Sequence, residues 1–206
     1  MLITFLGETF SGVVGCDYHS AYRKFLHETD ARMQFCWAHL IRDVKFLTTL
    51  SDRVTRGFGE RLLAKIKSLF RVWHRREKMS AAAWQRAAKR ARRDVRQVAL
   101  QAHRRTEAQN IAARFRQHAK YYFTFLDVAG VEPTNNAMER GFRQVVIDRK
   151  LTQGTRGTAG RRWCERIWTV LATCAQQGHS AYRFIHQSVL TNLQRRPTPA
   201  LLPMPP

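Results

Sequence analysis

Apolar and polar positions change period several times along the 206 residues, and those changes divide the chain into segments. Val13-Val14-Gly15-Cys16 is a short, β-branched apolar run that begins after Gly12, the pattern of a buried strand. It ends on a carboxylate, Asp17. From His19 to Leu26 the period becomes helical, with Tyr18, Tyr22, Phe25 and Leu26 on one side. Met33 to Trp37 is a second short strand candidate. Leu40, Val44 and Leu47, with Ile41 beside them, then predict another helix.

From Arg61 to Lys120 there is no glycine or proline, and Ala, Arg, Gln and Leu dominate, which predicts long helices. Leu62, Ile66, Leu69 and Trp73 form one apolar stripe; Phe115, Tyr122, Phe125 and Leu126 form part of another. Helix packing is the preferred reading of these stripes. Trp73 and Trp84 also have faces on which an unstacked base can lie, the less favoured alternative. Gly130 and Pro133 close the block. Asn136 then has the position of an N-cap with Glu139 three residues on, the spacing of a capping box. Glu139 and Arg143 lie one turn apart, where an ion pair contributes only a few tenths of a kcal/mol. Capping and chemistry both remain open for Glu139 on this pattern alone. Downstream, Trp163, Ile167, Val170, Leu171 and Cys174 share a helical face that predicts core, and Tyr182, Ile185, Val189 and Leu193 share another. The proline-rich residues 195–206 predict a disordered tail.

Charge changes this picture most. The formal net charge is +21, with 44% apolar residues, so the chain has the composition of a packed domain carrying a strong positive field. Between Arg61 and Lys120 there are 18 Lys and Arg against Glu77, Asp94 and Glu107, a local excess of +15. Such a field attracts phosphate backbones, with salt-sensitive binding; a solvated arginine face, or a ribosomal or membrane-surface protein, is the plainer alternative. The excess in one block favours DNA, and Arg92, Arg93 and Arg96 are the candidate contacts there. Gln153 to Arg162 is a Gly-rich basic loop that leads into a helix, where small residues let backbone N–H groups approach phosphate. Its spacing matches neither a P-loop nor a dinucleotide fingerprint, and a hinge is the alternative. No run approaches the roughly 18–20 apolar residues of a membrane span, so a cytoplasmic, nucleoid-associated protein with no membrane partner is expected. Cys16, Cys36, Cys164 and Cys174 form no CxxC pair and are expected to be reduced thiols. Cys36 and His39 have ligand-like spacing, but a zinc site would need two more ligands.

Three blocks together resemble the sixty-six family of bacterial insertion-sequence transposases. These are FLGETFSGVVGCDYHSAY, then FCWAHLIRD, and then TNNAMERGFRQVVIDRK with the Gly/Arg loop and ERIWTVLATCAQQGHSAYRFI, covering residues from about 5 to 190. The resemblance implies an α/β, mainly helical chain with a ribonuclease H-like core and a helical insertion. Residues 1–50 would be core, 51–127 the basic insertion, 128–194 the C-terminal core helices and 195–206 the tail. It matches Asp17 to the second aspartate of a DDE triad and Glu139 to its glutamate, and makes both ligands of Mg²⁺, a hard cation that prefers oxygen donors. Two such ions in this chemistry activate a water or a DNA 3′-hydroxyl and stabilise the leaving oxygen. Arg140 and Arg143, on the helix with Glu139, become candidate phosphate contacts, as do Arg149, Lys150, Arg156 and Arg161.

The chain departs from the family at one point. The first aspartate of the triad lies on an earlier strand, and the only acid before Asp17 is Glu8, a poor substitute. The expectation is therefore a truncated core lacking its first strands, from a degenerate or interrupted gene copy, with weak or absent Mg²⁺ binding. Its partners would be double-stranded DNA at transposon ends and other transposase chains, one of which would have to supply the missing aspartate. The alternative is a non-catalytic remnant that only binds those ends.

Overall fold

The computed structural model describes residues 4, 6, 7, 10–29 and 31–202, and divides into two compact units, Met1–Asn136 and Ala137–Pro206. In the first unit, strand β1 (Val13–Cys16) and strand β2 (Arg32–Phe35) pair in parallel, Val13 opposite Arg32 through Cys16 opposite Phe35. A parallel pair needs a crossover, and helix α1 (Ser20–Glu28) supplies it. His19 caps α1 by accepting the N–H of Ala21 at 3.3 Å. The sequence placed the second strand over Met33–Trp37. It begins and ends slightly earlier because Trp37 already starts helix α2 (Trp37–Thr48).

The helical block is an antiparallel succession of α3 (Arg53–His74), a 3₁₀ turn (Arg76–Lys78), α4 (Ala81–Leu100), α5 (Thr106–Tyr122) and the single turn α6 (Thr124–Asp127). The first of these starts before the glycine-free segment. Asp52 caps it, its carboxylate accepting the N–H of Thr55 at 2.9 Å together with the Thr55 hydroxyl. Gly59, inside α3, is the point of closest approach to α2: a Cβ there would stand 2.9 Å from Cβ of Leu47. The helix thus accepts the roughly 0.5–1 kcal/mol interior cost of glycine in exchange for close packing.

One hydrophobic core joins the sheet to this block. Met33, Phe35, Trp37, Leu40, Phe58, Leu62, Leu69, Phe115 and Tyr122 are all fully buried in it. Trp73 is buried too, with the guanidinium of Arg76 4.3 Å from its ring centre, and Trp84 packs on the core half-buried. Both indoles therefore serve packing, as preferred from their spacing.

The second unit holds α7 (Asn136–Leu151), α8 (Thr158–Gln176) and α9 (Ala181–Leu193). Helix α7 begins on Asn136 itself, one residue before the expected position, with Glu139 in its first turn. The core predicted from the two downstream stripes is only partly formed, with Ile167, Val170, Leu171 and Ile185 half-buried. Cys174 is the only residue of these helices that is fully buried, whereas Trp163 is 63% exposed and Leu193 75% exposed. The amphipathic pattern is present in the sequence, but no described element of this unit closes over it. The mainly helical character with a small sheet is as expected.

Candidate metal and DNA site

Asp17 follows β1 directly, at the carboxyl end of a parallel ladder, where open α/β sheets place their ligands. Its Oδ1 accepts the N–H of His19 at 3.1 Å, which fixes the carboxylate at the mouth of α1 and leaves Oδ2 without a partner among the described residues. The neighbouring Cys36 organises this end of the sheet. Its N–H donates to the Cys16 carbonyl at 2.7 Å, and its Sγ accepts the N–H of Asn135 at 3.4 Å. The N–H of Trp37 donates to the carbonyl of Pro133 at 3.0 Å. Residues 133–135 are thereby held at the end of β2. Asn135 also has a buried side-chain oxygen with no hydrogen-bond partner among the described residues.

Burial, reinforced by the charge of Asp17 and by Cys36, pushes the Cys16 thiol up to about 12, so it stays protonated. The Cys-Trp-Ala-His segment, where zinc was weighed from spacing, instead uses its thiol to hold Asn135.

Next to Asp17, Tyr18 forms a feature the sequence did not reveal. Its hydroxyl is 2.9 Å from Nδ1 of His118, and its ring lies 4.8 Å from the guanidinium of Arg23 and 4.9 Å from that of Arg114. Arg114 in turn pairs with Asp43 at 2.7 Å. His118 interrupts α5 with φ −132° and ψ 18°, at the point where the helix meets Tyr18. The contact spans 100 positions, so no local pattern signals it.

In the second unit Glu139 lies in the first turn of α7, where the helix dipole favours a carboxylate. Arg140 and Arg143 are exposed on the same helix, and Arg149 and Lys150 lie in its last turn. The loop that follows turns through left-handed Gln153 (φ +58°) and Gly154 (φ +76°), where a Cβ added to the glycine would stand 3.7 Å from Cγ of Arg149. Arg156 is exposed, and Arg161 reaches Glu165 at 3.7 Å, a solvated pair of little energetic weight. On α4, Arg92 is committed to Asp127 at 2.5 Å and lies over the ring of Phe123; Arg93 contacts Asp94 at 3.0 Å; Arg96 is exposed. Asp17 in the first unit and Glu139 in the second each carry the oxygen donors that a hard divalent cation prefers. Glu8, the other acid considered, lies outside the described residues.

A family model described as Transposase IS66 family matches residues 2–162. The chain belongs to this family. The matched span includes Asp17, the Cys36–His39 segment, the whole helical block, Glu139 and the Gly/Arg loop, and ends within α8. No curated protein and no solved structure matches the chain. Membership of a transposase family makes DNA the partner to be expected of the chain. Among the described residues no helix is long and apolar enough to cross a membrane.

Proposed function

We propose that this chain is part of the catalytic apparatus of a DDE-type DNA transposase, with Asp17 and Glu139 as carboxylate ligands for Mg²⁺ and transposon-end DNA as substrate. The observations that carry the reading are the family match over residues 2–162 and, within the first unit, Asp17 at the carboxyl end of the parallel ladder. The order strand, helix, strand and helical block supports a ribonuclease H-like core interrupted by an insertion: core 1–50, insertion 51–127, core helices 128–194. When bound, Mg²⁺ supplies activation of the attacking water or hydroxyl and stabilisation of the leaving oxygen.

The chain's own part is to hold and neutralise. Asp17 is oriented by the N–H of His19, and Glu139 by its helix. Arg140 and Arg143 offset phosphate charge near Glu139, while Arg149, Lys150, Arg156 and Arg161 present cations around the loop. Arg92, Arg93 and Arg96 do the same on α4, where Arg92 also pairs with Asp127 and Arg93 with Asp94. DDE chemistry uses a third carboxylate besides Asp17 and Glu139, so nicking tests whether these 206 residues also hold it, whereas DNA binding does not depend on it. A non-catalytic protein that holds or competes for transposon ends is the second reading, favoured by the +21 charge. Either function is exercised at the nucleoid.

The test is Mg²⁺- and Mn²⁺-dependent nicking of supercoiled plasmid by the chain, with Asp17→Asn and Glu139→Gln alongside. The expected result is salt-sensitive binding by all three and nicking by none. Metal-dependent nicking that both substitutions abolish would show that the third ligand lies within this chain. Absence of DNA binding would sink both readings.

A further inference from the structure

Helix α4 buries one face and leaves the other to solvent. Ala88, Val95 and Ala99 are buried against the core, while Arg86, Lys89, Arg90, Arg93 and Arg96 are exposed. On the 3.6-residue period these five cations fall within about a third of the helix circumference, opposite the buried residues, and extend over about 15 Å of axis.

The acids of the helical block neutralise only one cation of this stripe, Arg93. Asp94 engages Lys65 and Arg93, Asp127 engages Arg92, and Asp43 engages Arg114. Glu77 and Glu107 pair with Arg76 and Arg105. Among the described residues Arg86, Lys89, Arg90 and Arg96 have no acidic partner. Like charges at i,i+3 and i,i+4 repel one another and weaken an isolated helix. Their concentration on one face therefore calls for an external counter-charge.

The chemistry of that counter-charge is narrow. The stripe has no apolar centre of the kind that protein interfaces bury. Nor is α4 an interfacial membrane helix, because its apolar face is already committed to the core. Long, flexible cations spaced along a rod suit the oxygens of a phosphodiester backbone, which position a protein without reading sequence. We infer that the exposed face of α4 is a sequence-neutral binding surface for the backbone of double-stranded nucleic acid, centred on Arg86, Lys89 and Arg90. This rests on the DNA reading above and extends it to three residues that neither the pattern of the sequence nor the family match assigns.

The experiment is an anisotropy titration of a random-sequence duplex of about 30 base pairs over roughly 50–300 mM KCl, using the full chain. It compares the unaltered protein, the triple variant Arg86→Gln, Lys89→Gln, Arg90→Gln, and a control, Arg42→Gln, Lys45→Gln, Arg53→Gln, that removes the same charge from exposed positions of α2 and the start of α3. The stripe variant should show a slope of log K against log salt shallower by about 2–3, the control a change below about 1. Its helix content and thermal midpoint should not fall, since only repulsion is removed. No binding by the unaltered chain would sink the DNA reading as a whole. Binding with an unchanged slope in the stripe variant, or equal losses in both variants, would overturn the assignment of α4 alone. Tighter binding of an acidic polypeptide than of the duplex would also overturn it, making this a protein-docking face.

Discussion

The side-chain oxygen of Gln34, in the middle of β2, accepts the backbone N–H of Phe125 at 2.8 Å, across 91 positions of sequence. Its amide nitrogen donates to the carbonyls of Phe35 at 2.7 Å and Tyr122 at 3.2 Å. Beside it, the hydroxyl of Thr124 donates to the Met33 carbonyl, and the indole N–H of Trp37 donates to the Tyr122 carbonyl. The chain leaves the sheet at residue 36, runs through α2 to α5, and returns to the edge of the same strand. Its fully buried polar side chain explains why β2 tolerates a glutamine in a ladder otherwise filled by Met33 and Phe35.

Substituting Gln34→Leu keeps the volume and removes the closure. The N–H of Phe125 would then be left buried without an acceptor, at a cost of about 1–3 kcal/mol. Urea unfolding of the variant should show that loss. A change below about 0.5 kcal/mol would mean that the return of the chain to β2 does not depend on this side chain.

Thiol reactivity should separate one cysteine from three. Cys164 is half-exposed, whereas Cys16, Cys36 and Cys174 are buried. Alkylation of the native chain near neutral pH should modify Cys164 alone, with all four reacting after unfolding. For Cys16 the folded thiol is raised from 9.0 to about 12, so the folded state prefers the protonated form. That preference contributes fully below about pH 9 and is lost as pH climbs from there toward 12, so stability should fall over that window. A Cys16→Ser variant should show less of this alkaline loss. Equal alkaline sensitivity in the variant would assign the effect to another group.

Much of this fold was legible locally. The Val13–Cys16 run, the helical spacing after it and the glycine-free basic block each follow from periodicity, and the structure realises them with boundary shifts set by caps such as Asp52 and by Trp37 opening α2. What the sequence hid are contacts between distant positions: Gln34 with Phe125, Cys36 with Asn135, Tyr18 with His118 and Arg114. No short-range pattern encodes a hydrogen bond across a hundred residues. Among the site residues, Arg92 illustrates the same point, because a count of charge cannot tell a cation held by Asp127 from one left in solvent like Arg96.

The Arg114–Asp43 pair should matter more than the surface pairs. Its side chains keep 21% and 35% of their accessible surface, and the guanidinium also covers the ring of Tyr18. Breaking a fully buried pair costs about 3–5 kcal/mol, so Arg114→Gln should cost somewhat less, about 2–3 kcal/mol, given this partial exposure. Neutralising the exposed partner of Glu165, by Arg161→Gln, should cost under about 0.5 kcal/mol. Thermal or urea unfolding of the two variants gives the comparison, and equal effects would mean that the Tyr18 cluster adds nothing to the stability of the first unit.

The uncovered helices of the second unit give the last prediction. Phe142 is 57% exposed, Leu151 79% and Tyr182 76%, on helices whose patterns would ordinarily be buried. Apolar surface of this extent binds hydrophobic dyes and promotes association in a chain that has nothing to cover it. Replacing Phe142 and Leu151 by Gln should therefore lower anilinonaphthalene sulfonate fluorescence and reduce aggregation, while the unfolding midpoint of the chain stays within a degree or so. The energetic reason is that side chains already in water lose no transfer free energy when made polar; burial would have contributed about 1.5–3 kcal/mol each. A fall in midpoint of several degrees would show instead that these two side chains are packed in solution, and that the second unit has a core after all.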